Sequence, residues 1–314
     1  MHEMFYNLKL DPFSPNPDHK FCYWHNSYKK TLSTLRGILY AQENAVMIIG
    51  RAGTGKTTLV NHLVGSLNPQ QIKVANISAS KSNPGNLLHQ ISQGFCLDSS
   101  GLTKVALLNN LNKTLRQYSR TNTHALLVID DAHNLAYGAL QDIRRLTSMQ
   151  ANQQPLLHVF LFGPESLGNR VIAMGMEQAN KRSLITLSLE PLSASDTRQY
   201  ILHRLSKAGW ESDPCIDLDA FSLIYAVSRG IPRLINRVCN RLLEYGANEK
   251  THELRKHDIQ SVINILRQEH LAARNPKPVD KSQQQKVDNS INTEYSVANK
   301  NIPHVPPYST LSTT

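Results

Sequence analysis

The chain has 314 residues, 40% of them apolar, and carries a formal charge of +10 with a pI near 9.4. That is enough apolar material for two packed domains and a tail, which excludes a chain without a core. The charge suggests an acidic partner such as nucleic acid or an anionic membrane surface, but the basic residues are scattered rather than gathered into one run, which favours a basic surface without a specific partner.

Four cysteines (Cys22, Cys96, Cys215, Cys239) lie far apart with no C-x-x-C pair. They read as reduced thiols, not as a disulfide framework or a zinc site. Residues 1–10 show no continuous apolar core, so no signal peptide is expected. The longest apolar runs, Ala45–Ile49 and Leu156–Phe162, have the length of strands and fall far short of a membrane span. The expected location is cytoplasmic, with attachment to the inner membrane through a partner left open.

Residues 1–25 are rich in proline and aromatic residues, which suits an irregular segment packed on a domain. A helix is predicted from Ser27 to Gln42, with Leu32, Leu35, Ile38 and Leu39 at helical spacing. Strands are then predicted at Val46–Ile49, Ile72–Ile77, Ala125–Ile129, Leu156–Phe162 and Leu184–Leu189. Helices start near Thr57, Asn86, Leu102, Leu135 and Glu165. Strands alternating with helices make a parallel sheet covered on both faces.

Between the first strand and its helix stands Gly50-Arg51-Ala52-Gly53-Thr54-Gly55-Lys56-Thr57, followed by Thr58. The spacing G-x-x-x-x-G-K-[ST] after a buried strand is that of the phosphate-binding P-loop. Its glycines permit backbone conformations that turn N–H groups towards phosphate, and the helix that begins there adds its positive end. Lys56 would reach the β- and γ-phosphates of ATP, and Thr57 would hold Mg²⁺ through its hydroxyl. The run Leu126-Leu127-Val128-Ile129-Asp130-Asp131 ends in two carboxylates, the Walker B pattern. Asp130 is the candidate magnesium acid. Asp131 is the candidate to orient or deprotonate water, or else it caps the following helix. His133 reads as a surface or packing residue. No Asn-Lys-x-Asp guanine signature is present, which favours ATP over GTP.

After Pro191 the pattern becomes helical, with helices from Ser193 to Ala208, Asp219 to Ser228, Pro232 to Tyr245 and Lys256 to Arg267. Asp196, three residues after Ser193, approximates a capping box. From Leu271 the composition is too polar to fold alone. The predicted fold class is therefore α/β: a P-loop nucleotide-binding domain over 1–190, a small all-helical lid over 191–270 and a disordered polar tail over 271–314.

The chain resembles bacterial AAA+ ATPases of the ExeA/GspA type, including relatives found with pilus and exopolysaccharide systems. The residues that carry the likeness are Phe5-Tyr6-Asn7-Leu8-Lys9-Leu10-Asp11-Pro12-Phe13 with Pro17-Asp18, the P-loop, Ile129–Leu135, Leu189-Glu190-Pro191-Leu192-Ser193, Ala208-Gly209-Trp210 and Gly230-Ile231-Pro232-Arg233. They occur in the family's order over roughly residues 4–265. The resemblance implies ATP hydrolysis with Mg²⁺, homo-oligomers formed on ATP binding, and a protein partner in an envelope machine. It implies that Arg233 reaches the γ-phosphate from the lid, and that Arg182 contacts a neighbouring subunit's nucleotide. Two departures touch hydrolysis. Asp131 stands where the family carries Glu, one methylene longer, and Gly163-Pro164-Glu165-Ser166-Leu167 lacks the glutamine of the family's G-Q-P-E-L. A DNA-associated AAA+ protein and an ATP-gated scaffold with little turnover stand as alternatives. Longer members continue into a membrane span and a peptidoglycan-binding domain, neither of which is read in this sequence.

Overall fold

The computed structural model describes residues 2–14, 21–41, 43–81, 86–173 and 184–274. Pro17, Asp18, Arg182 and the tail beyond 274 lie outside the described residues. The described residues up to Val262 form one compact unit, and those from Ile263 onward belong to a second.

A short helix α1 (His2–Phe5) and a longer α2 (Asn26–Ile38) precede β1 (Ala45–Ile49) and α3 (Lys56–Gly65). Then come β2 (Ile72–Ser78), α4 (Leu87–Gly94), α5 (Lys104–Arg120), β3 (His124–Asp130) and, after a 3-10 turn at Ala132–Asn134, α6 (Tyr137–Thr147). A two-residue hairpin, β4 (Gln150–Ala151) and β5 (Gln154–Pro155), leads to β6 (His158–Gly163), α7 (Ser166–Ala173) and β7 (Ile185–Ser188). The helical part holds α8 (Ala194–Lys207), β8 (Cys215–Ile216), α9 (Leu218–Ser228), α10 (Pro232–Asn248), β9 (Glu253–Leu254) and α11 (Lys256–Arg274).

The five long strands form one parallel sheet in the order β2-β3-β6-β1-β7. Its residues alternate between two buried clusters, as the two-residue period of a strand requires. Met47, Ala75, Ile77, Leu127, Ile129, Val159 and Leu161 pack with apolar residues of α4, α5, α6 and α7. Val46, Ile48, Leu126, Val128, Phe160 and Phe162 pack with those of α2 and α3. Both faces are thus covered, which is why the strands read as unbroken apolar runs.

The helical part departs from the sequence reading in three details. β8 and β9 pair in parallel, Cys215 opposite Glu253 and Ile216 opposite Leu254; a two-residue pair is too short to leave a periodic signal. α11 runs to Arg274, past the tail boundary predicted at 271. At the start of α8, Ser193 Oγ accepts the amide of Asp196 at 3.0 Å, while the Asp196 carboxylate takes the Ser193 hydroxyl at 2.6 Å. Being shorter than Glu, Asp196 closes on the cap's side chain and not on its backbone.

The aromatic N-terminal segment packs on the helical part. Lys9 N donates to Ala208 O at 2.8 Å, and Tyr6 Oη donates to Thr251 O at 3.0 Å. Arg204, buried, donates through Nε to Pro12 O and through a terminal nitrogen to Tyr200 Oη at 2.8 Å. Its guanidinium also lies over the Phe21 ring, 5.1 Å from the centroid. Further along, Trp24 stacks on His62 of α3 at 5.0 Å, and Tyr28 Oη pairs with His62 Nδ1 at 2.8 Å. The segment therefore straps the helical part to the P-loop helix.

The turn into α10 depends on Gly230. Its φ is +70°, its carbonyl accepts Leu192 N at 2.9 Å, and a Cβ there would lie 1.9 Å from Leu192 O. Both the left-handed backbone and the contact with another main chain exclude a side chain. We expect Gly230→Ala to cost on the order of 2 kcal/mol or more in chemical denaturation, because neither backbone can yield cheaply. Wild-type stability in that variant would contradict the packing of this turn.

Candidate functional site

The P-loop leaves the C-terminal end of β1, and its start is pinned by strand neighbours on both sides. Gly50 N donates to Gly163 O at 3.2 Å, and Leu189 N donates to Ile49 O at 2.8 Å. Gly53 has φ +87°, and Gly55, at the start of α3, has φ +100°. A Cβ on Gly53 would lie 2.6 Å from Cβ of Arg233, so α10 approaches the loop as closely as glycine allows. At the same place Arg233 N donates to Gly53 O at 3.2 Å. Thr54 is buried, its hydroxyl donating to Arg51 O at 2.9 Å, whereas Ala52 is exposed and Thr58 half-buried.

Lys56 is 9% exposed, and its ammonium donates to Gly50 O at 2.8 Å and Arg51 O at 2.9 Å. Burial pushes its pKa down; Asp130 and Asp131 oppose that shift, and Arg233 adds to it. Asp130, Asp131 and Arg233, all named for this site from the sequence, thus lie near enough to act on Lys56. Thr57 Oγ1 donates to Asp130 Oδ2 at 2.6 Å. Asp130 is buried, and its other oxygen accepts the Asp131 amide at 3.0 Å.

Asp131 itself sits in the left-handed region, φ +53°, a conformation Asp adopts more readily than most residues. It opens the 3-10 turn, yet its side chain makes no capping hydrogen bond. Its carboxylate is therefore not committed to the cap that the sequence offered as its alternative role. Arg233 is exposed, and its guanidinium has no hydrogen-bond or ion-pair partner among the described residues. Pro164 contributes only a carbonyl, which accepts Leu167 N at 2.9 Å.

One residue of the site's scaffold escapes sequence reasoning. Arg170 of α7 donates to His133 O and, at 2.7 Å, to Leu135 O, clamping both sides of the turn that follows Asp131. Its partners are carbonyls some 35 residues away, and no residue pattern announces that contact.

Comparisons with known proteins agree with this geometry. The family described as "AAA domain" matches residues 40–171, which span β1, the P-loop, β3 and β6. General secretion pathway protein A of Aeromonas hydrophila is 30% identical over 263 residues, 82% of this chain. The chain belongs to the AAA+ family, in the branch of general secretion pathway protein A. This AAA+ chain spans 47% of that relative's length. Its fold is similar to Cdc6p of Pyrobaculum aerophilum, at TM-score 0.61 and 16% identity, covering 81% of this chain and 71% of the other. It is also similar to Drosophila ORC bound to DNA, at TM-score 0.64 and 14% identity over 98% and 80%, and to a Thermotoga maritima RuvB variant, at TM-score 0.52 and 18% identity over 77% and 70%. At such identities the likeness is one of fold.

Arg170→Ala should leave two carbonyls of the Asp131 turn without their charged donor. We expect a loss of about 1.5–3 kcal/mol in stability, with the nucleotide dissociation constant unchanged because the P-loop is not touched. Calorimetric titration beside thermal denaturation checks this; a large loss of nucleotide affinity in a stable variant would contradict it.

Proposed function

We propose that this AAA+ protein binds ATP with Mg²⁺ at the β1–α3 loop and hydrolyses it slowly, using the cycle to switch assembly of a bacterial envelope system. The observation that carries the reading is the 2.6 Å approach of Thr57 Oγ1 to Asp130 Oδ2 beside the buried Lys56. Two hard oxygen donors, one of them a buried carboxylate, suit Mg²⁺ and suit a softer metal poorly. When bound, that ion would neutralise charge on the β- and γ-phosphate oxygens.

The other roles belong to the chain's own groups. The amides of Gly53, Thr54, Gly55, Lys56 and Thr57 bind phosphate oxygens from the loop and the positive end of α3. Lys56 exchanges its two carbonyl partners for the triphosphate, whose negative charge repays the cost of burying the ammonium. Asp131 orients the attacking water or takes its proton. Arg233 moves its unpaired guanidinium onto the γ-phosphate, so that closure of a lid over 191–270 reports the nucleotide. Because a shift of about an ångström in a positioned group can cost roughly a hundredfold in rate, Asp131 in place of Glu accounts for slow turnover. Pro164, which offers no side-chain hydrogen bond, acts in the same direction.

Those two residues also support a second reading, an ATP-gated scaffold that scarcely turns over. Similarity to general secretion pathway protein A supports the envelope role, assembly into homo-oligomers, a protein partner and a place at the cytoplasmic face of the inner membrane. No helix among the described residues is long and apolar enough to cross a membrane.

Lys56→Ala is expected to weaken ATP binding by about 10–150-fold, the worth of a charge-assisted contact. Unchanged affinity in a fluorescent-nucleotide titration would place the site elsewhere. Asp131→Glu separates the two readings: single-turnover hydrolysis that speeds up supports the switch with a short carboxylate, whereas an unchanged, near-zero rate supports the scaffold.

A further inference from the structure

Away from the nucleotide loop, a half-open cavity of about 380 Å³ lies between α4, α5 and α6. Its size falls in the range of ligand pockets, roughly 300–1,000 Å³. Leu88, Leu107, Ala136 and Ala139 give it apolar walls, and Lys104 and Asp142 supply charge. Asp142 is 6% exposed, in the middle of α6, and its Oδ1 lies 2.6 Å from Lys104 Nζ and 3.9 Å from a terminal nitrogen of Arg145.

This pair is poorly explained by stability. Lys104 opens α5, where a cation opposes the helix dipole and no acidic residue in the first turn offsets it. Burying Asp142 costs desolvation that one half-exposed lysine repays incompletely. What the pair achieves is placement: a buried carboxylate holds an ammonium by charge at the edge of an apolar cavity. Val105 and Tyr137, each next in sequence to a lining residue, expose large side chains at 67% and 63%. Gly138, also lining the cavity, has nothing within 4 Å of where a Cβ would stand.

We propose that this cavity docks an acidic amphipathic segment of a partner protein. An apolar side chain enters between Leu88 and Leu107, and a neighbouring carboxylate pairs with Lys104 and the exposed Arg145. Charge selects the acid. Two cations face the single carboxylate of Asp142, so the mouth keeps a net positive charge that repels a basic segment, and the whole chain carries +10. The cavity also borders the turn of Asp131: Ala136 and the start of α6 follow directly on Leu135, whose carbonyl Arg170 holds. Docking therefore acts on the helix that continues from the second acid. The docking surface does not rest on ATP binding, and its failure would leave the nucleotide reading untouched.

Fluorescence anisotropy on the full chain tests the proposal with three labelled synthetic peptides: one of alternating Leu and Glu, one with Lys for Glu, and one with Ser for Glu. Wild type should bind the Leu-Glu peptide saturably. Gly138→Trp fills the mouth from open space and should weaken that binding at least tenfold without loss of thermal stability. Lys104→Gln should weaken it about tenfold and reduce the preference for Glu over Ser, which Arg145 alone then carries. Three outcomes overturn the proposal: equal binding by wild type and a folded Gly138→Trp, preference for the Leu-Lys peptide, or no saturable binding of any of the three.

Discussion

The site depends on bringing Thr57 and Asp130 within hydrogen-bond distance although 73 residues separate them. Thr57 follows β1 and Asp130 ends β3, and β6 runs between those two strands. Only a parallel sheet puts all three C-terminal ends on one edge, and only one register puts them at one height. Met47 stands opposite Leu161 and Ile129 opposite Leu161, so β1 and β3 are level across β6. A slip of one residue would turn every apolar side chain to the wrong face, so the core enforces the register that the site needs. The hydroxyl and the carboxylate meet because Val46, Ile48, Leu126, Val128, Phe160 and Phe162 pack as one layer.

The second constraint is the approach of α10. Its first turn comes against the loop so tightly that Gly53 has room for no side chain, and Arg233 N donates to that residue's carbonyl. Gly230, with its carbonyl on Leu192 N, sets the angle of entry. Pro232 then occupies the first helical turn, where its missing N–H costs nothing. Among the described residues, the guanidinium of Arg233 has no hydrogen-bond or ion-pair partner and the carboxylate of Asp131 makes no capping bond. The backbone of the phosphate loop, by contrast, is already formed.

Much of this was legible in the sequence. The strands appeared as apolar runs because both faces of a parallel sheet are buried, and the phosphate loop is a local pattern that needs no tertiary knowledge. Asp130 could be named because acid at the end of such a run is itself local. What could not be read has distant main chain as its partner: Arg170 on the carbonyls of His133 and Leu135, Arg204 on that of Pro12, and Gly230 against Leu192. Main chain offers the same carbonyl at every position, so composition and spacing carry no trace of these contacts. The aromatic N-terminal segment was expected to pack on a domain, but which surface it covers emerged only from Lys9 on Ala208 and Trp24 on His62. In sequence Asp131 reads as the residue that orients water or else as a cap, and only its left-handed backbone and the missing capping bond decide against the cap.

A crystal structure with Mg²⁺ and a non-hydrolysable ATP analogue measures the central claim directly. The triphosphate should lie over Gly53–Thr57, with Lys56 moved from the carbonyls of Gly50 and Arg51 onto phosphate oxygens, Thr57 on the metal and Asp130 beside it. An analogue bound elsewhere, with Lys56 still on those two carbonyls, would contradict it.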